Sequence, residues 1–140
     1  MFSLIITIIS IALVAALALA TIYYGGSAFN RGSADAKASQ LINEGQQING
    51  AFAMAKADAQ ANGTTAPSTL AALVTNNYMS QTPANWAVGT DTLAGAVVRE
   101  VSAEVCASIV AKGGATAVAD GVYGCVTAGD PAVRTAFYKF

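Results

Sequence analysis

From Met1 to Asn30 the chain carries no Asp, Glu, Lys or Arg, and Met1–Tyr24 is nearly unbroken hydrocarbon, relieved only by Ser3, Thr7, Ser10 and Thr21. Wound as an α-helix, such a run extends roughly 35 Å, against about 30 Å for the hydrocarbon core of a bilayer. Only a membrane or a protein interior can hold it. A secretory signal has a basic leading region and a small-residue cleavage site. Here nothing basic precedes the apolar run, and the aromatic pair Tyr23-Tyr24, suited to a membrane interface, closes it.

The rest of the 140 residues is enough for one small domain. The expected organisation is residues 1–30 as an apolar transmembrane or core helix, 31–61 as an amphipathic continuation packed on a head, and 62–140 as the globular head. Seven basic and eight acidic residues leave a net charge of -1, so no general phosphate-neutralising surface is expected, and no nucleic-acid-binding motif is present. The chain has no His, and its two cysteines have no companion cluster, which leaves zinc, haem and His-based catalysis without candidates. No nucleophile, base and orienting group can be assembled from the sparse polar set, so the expectation is no catalytic residue, no cofactor, no metal site and no enzyme activity.

Two signals disagree about orientation. The first basic residues, Arg31 and Lys37, follow the apolar run, which by the positive-inside rule keeps the head in the cytoplasm. Cys106 and Cys125, in contrast, are spaced as one loop-closing disulfide, which fits an oxidising compartment; two free buried thiols are the alternative. Prior removal of a basic leader that had already set the orientation reconciles the two.

Downstream, Ala34, Ala38, Leu41, Gly45, Ile48, Phe52, Ala55 and Ala59 recur at alternating intervals of four and three, a narrow stripe on one helix face. One helix from Phe2 to about Gln60 is therefore expected, softened at Gly25 and Gly26, its apolar half projecting beyond the head and its striped half lying against it. After Asn62-Gly63, Ser68 is read as the cap of a short helix over 69–75. Strand character follows at 86–88 and 93–101, with a turn at Gly89-Thr90-Asp91. Ser102 caps a second short helix to Lys112, with Glu104 in its first turn and Gly113-Gly114 as its stop. Strands at 122–127 and 133–140 flank a turn at Gly129-Asp130-Pro131. A long N-terminal helix beside consecutive strands implies an α+β fold with a small C-terminal antiparallel sheet. Residues 133–140 put apolar side chains on both faces, which leaves one face for a neighbouring subunit. Trp86, Tyr78, Tyr123, Phe137, Tyr138 and Phe140 are read as head core and subunit contacts.

The Phe-Ser-Leu-Ile start at Phe2–Ile5, the long N-terminal helix, the Pro-containing loop leading into a small antiparallel sheet, and two cysteines in the last third together resemble the type IV pilin family. The first cysteine on a helix and the second on a late strand look like its type IVb branch. The resemblance implies a structural subunit that a prepilin peptidase trims, that the inner membrane holds before assembly, and that a pilus assembly machinery builds into an extracellular homopolymer of identical subunits. It further implies filament-core packing by Phe2, Leu4, Ile5, Ile8, Ile9, Ile11, Leu13, Val14, Leu17 and Leu19. A minor pilin, a pseudopilin, or a single-pass membrane protein with a small periplasmic binding head are the alternatives. The chain departs from the family at two places: Ile5 or Ile6 stands where a glutamate is usual, and Ile22 where a helix-breaking proline is frequent.

Ser3, Thr7 and Ser10 share one face of the apolar helix. Each hydroxyl can bond a carbonyl one turn back, or the face can serve as an inter-helix polar contact in place of the absent glutamate. The disulfide, in a loop of about twenty residues, is expected to contribute roughly 3 kcal/mol and to pin the second short helix to the sheet edge. Asn62-Gly63-Thr64 matches the N-glycosylation pattern, although Asn-Gly is first a turn signal.

Overall fold

A computed structural model describes residues 1–127 and 134–140. The turn expected at Gly129-Asp130-Pro131 and the strand start expected at Val133 lie outside the described residues. The fold is α+β: helix α1 (Phe2–Asn62), helix α2 (Leu70–Thr75), strand β1 (Ala87–Val88), a 3-10 turn (Asp91–Leu93), strand β2 (Ala96–Val101), helix α3 (Ala103–Ala111), and strands β3 (Tyr123–Thr127) and β4 (Arg134–Lys139). The chain divides into two compact units, Met1–Ser33 and Ala34–Phe140.

Within the second unit, every residue of the stripe read from the sequence is buried, together with Ala51. Small residues there let the sheet approach the helix closely. At Gly45 a Cβ would stand 2.5 Å from the Tyr138 ring, so this position accepts no side chain. The four strands form one antiparallel sheet in the order β1-β2-β4-β3. Alternation along the strands assigns their two faces. Val97, Ala136 and Tyr138 join Leu41, Ile48 and Phe52 of α1 and Val105 and Ile109 of α3 in the main core. Phe140, just past β4, stacks on Phe52 with ring centroids 4.0 Å apart.

The opposite face carries a second small core of Ala96, Val118 and Phe137, flanked by Leu93, Val98, Ala115 and Val126. This corrects the expectation that one face of 133–140 is left for a neighbour. Phe137 is 2 % exposed because the segment carrying Ala115 and Val118 closes over it within the same head. That segment also covers the edge of β3: the Ala115 N–H donates to the Tyr123 carbonyl and the Cys125 N–H to the Ala115 carbonyl, both at 2.9 Å. Gly124 is required at this bridge, since any Cβ would collide with the Ala115 backbone.

Local signals placed the elements with small differences. Thr69, not Ser68, caps α2: its backbone is extended and its hydroxyl oxygen accepts the Ala72 N–H at 3.2 Å. Trp86 precedes β1. The strand expected from Leu93 starts at Ala96, because Asp91–Leu93 closes a 3-10 turn and Gly95, at φ +78°, redirects the chain. Ser102 caps α3 as read, and the helix ends at Ala111, with Lys112 as its C-cap and Gly113 at φ +91°.

Candidate functional site

The first unit presents the largest apolar surface of the chain. Along Met1–Asn30 every residue is exposed, including all ten expected packers, from Ile5 at 53 % to Phe2 at 84 %. Fully burying a Leu, Ile or Val side chain contributes about 1.5–3 kcal/mol, so removing this set from water is worth on the order of 20 kcal/mol. A term of that size favours an apolar environment for this run. The helix contains a stretch long and apolar enough to cross a membrane, near the N-terminus.

Its polar groups are consistent with such an environment. The Thr7 hydroxyl donates to the Leu4 carbonyl and the Ser10 hydroxyl to the Ile6 carbonyl, both at 2.8 Å, and Thr21 donates likewise to Ala18 at 2.9 Å. These donors are satisfied inside their own helix, leaving only oxygen lone pairs for a neighbour. Ser3 lies in the first turn of the same helix. Helical structure continues through Gly25 and Gly26, where a Cβ would meet nothing within 4 Å. Tyr23 and Tyr24 touch edge-on, 5.4 Å between centroids, with both rings exposed.

In the second unit, two devices fix the head. Cys106 of α3 and Cys125 of β3 form the disulfide, Cα atoms 5.5 Å apart and both residues buried. It ties α3 to the edge strand, as the spacing implied. The other device was missed by sequence reasoning. Glu44 of α1 accepts from Gln40 Nε2 at 2.7 Å on one carboxylate oxygen, and from Trp86 Nε1 at 2.8 Å and an Arg99 guanidinium nitrogen at 2.9 Å on the other. The signal was present: an acid adjoining the buried stripe at Gly45, and a lone cation in the otherwise apolar run Ala96–Arg99. Farther along α1, the Tyr78 phenol donates to Asp58 at 3.0 Å; that bond, with lesser help from burial and the carboxylate charge, raises the Tyr78 pKa above its ordinary value. The Glu104 carboxyl is held below its usual range, first by its own backbone N–H and then by the Ser102 hydroxyl.

A recess of about 550 Å³ opens beside α1 between Glu44, Gln47 and residues 78–84. Its Glu44 and Tyr78 polar groups are committed to the bonds just described. Among the described residues, no three His, Cys, Asp or Glu side chains gather as a metal site.

No protein-family model matches the chain, and neither a curated protein nor a solved structure does. The fold, a long apolar N-terminal helix in one chain with a small antiparallel sheet and a disulfide, is compatible with a pilin-like fold.

Proposed function

We propose that this chain is a structural subunit of the type IVb-pilin kind, which polymerises through its apolar N-terminal helix into an extracellular filament. The observation that carries the reading is the uncharged run Met1–Asn30, exposed at every residue, in one chain with a folded, disulfide-clamped head. An all-round apolar helix suits lipid before assembly and the packed helices of neighbouring copies afterwards. The inner membrane, a prepilin peptidase and an assembly machinery are the partners this reading requires. With Ile5 or Ile6 where the family has an acid, neighbouring helices associate through hydrocarbon packing of Phe2, Leu4, Ile5, Ile8, Ile9, Ile11, Leu13, Val14, Leu17 and Leu19. The lone pairs of Ser3, Thr7 and Ser10 receive the adjoining subunit's N-terminal ammonium.

Electron microscopy of material sheared from the cell surface, with mass spectrometry of the filaments, tests the reading. The expected result is this chain as the repeating component. Its confinement to the membrane fraction would favour a single-pass membrane protein with a periplasmic head. Normal filament yield after replacing Ser3, Thr7 and Ser10 together by Ala would remove the polar-face role alone.

A further inference from the structure

The chain contains two Asn-Gly steps, Asn49-Gly50 and Asn62-Gly63, and the fold treats them oppositely. Asn-Gly is chemically the least hindered sequence for attack of a backbone nitrogen on the preceding side-chain amide, since Gly has no Cβ to obstruct the approach. Asn49 is half-buried in the interior of α1, where the Gly50 N–H belongs to the helical ladder and the backbone is fixed on both sides. Asn62 is the last residue of α1. It is exposed, and Gly63 beyond it is exposed at φ +64° with nothing within 4 Å of a would-be Cβ. The helix end is closed by the Thr64 N–H donating to the Ala59 carbonyl at 2.9 Å, so loosening the terminal turn frees the step without disturbing the body of the helix.

We infer that Asn62 is a site of self-modification, in which its amide becomes a carboxylate by way of a cyclic imide. The Gly63 nitrogen, giving up its proton to solvent base, bonds to the Asn62 side-chain carbonyl carbon, and the amide nitrogen leaves as ammonia. Water then opens the imide at one of its two carbonyls, giving aspartate or isoaspartate. Either product places a negative charge at a helix C-terminus, where the macrodipole opposes it. Isoaspartate also inserts a backbone carbon before Gly63 and breaks the closure from Thr64 to Ala59. The sequence pattern that reads as a glycosylation acceptor thus becomes a clock for the age of the chain.

The test incubates the full chain, folded in detergent micelles, in mildly alkaline buffer, and follows both sites by peptide mass spectrometry with fragmentation that separates aspartate from isoaspartate. Trypsin separates them, since Lys56 lies between. Asn62 is expected to convert at least about tenfold faster than Asn49 in the folded chain, and at a similar rate in denaturant, where the fold no longer distinguishes them. Equal rates in the folded chain overturn the proposal. So does an unchanged Asn62 amide under conditions that convert the denatured chain, or a glycan already occupying that nitrogen.

Discussion

Beside the buried stripe, Glu44 ties α1 to the sheet through polar contacts. Its carboxylate neutralises Arg99 and takes the Trp86 indole N–H in a partly buried setting, with side-chain exposures of 19 % and 24 % for the ion pair. Replacement by Ala leaves an indole N–H and a guanidinium without their acceptor. We expect a loss of about 1–3 kcal/mol of unfolding free energy, read by denaturant titration of the single Trp. Glu44→Gln, which retains an acceptor but not the charge, should fall between. Tyr78 gives a pH prediction with a definite sign. Its folded pKa lies above the ordinary 10.0, so the Asp58 bond stabilises the fold fully below that value, and the contribution is lost as pH rises through the folded pKa. Alkaline melting curves of the native chain should fall more steeply than those of Tyr78→Phe; parallel curves would refute the linkage. The sequence marked Glu44 and Arg99 as unusual but could not pair them, because the partners lie tens of residues apart and periodicity reports only which face of its own element a residue occupies.

At the scale of elements, the second half of α1 was legible almost residue by residue. A stripe of Ala, Gly, Leu and Phe at helical spacing has one consistent burial, and the structure adds only Ala51. What the stripe did not show is which glycines are obligatory. Gly45 has Tyr138 against it, whereas nothing lies within 4 Å of a Cβ at Gly50. Gly50→Ala should therefore stabilise the head by about 0.5–1 kcal/mol through helix propensity alone, while Gly45→Ala should lower the melting temperature. Thermal denaturation of the two variants side by side checks both signs. Reduction of Cys106–Cys125 frees α3 from β3, at an expected cost of about 3 kcal/mol from restored loop entropy, measurable by unfolding with and without reductant. Thr69 displaced Ser68 as the cap of α2 because both are good caps, and only backbone geometry chooses between neighbours.

For the molecule as a whole, the apolar first unit sets the fate of the chain. A carboxylate at Leu13 should cost about 2.5–3.5 kcal/mol at the centre of a membrane helix and should also be excluded from an apolar helix bundle. Leu13→Asp is therefore expected to reduce both membrane retention, read by fractionation, and filament yield, read by microscopy. Loss of neither would contradict the role given to this helix. The sequence by itself determined the uncharged run Met1–Asn30, the helical stripe and the α+β class, and it pointed to the cysteine pairing. Each is written in local periodicity, composition or spacing, which act over a few residues or one loop. Tertiary structure alone decided that β4 lies between β2 and β3, that the segment with Ala115 and Val118 seals the Phe137 face and the β3 edge, and that Glu44 meets Trp86 and Arg99. Those outcomes depend on which distant surfaces fit and which polar groups find partners when water is excluded, and no local pattern encodes them.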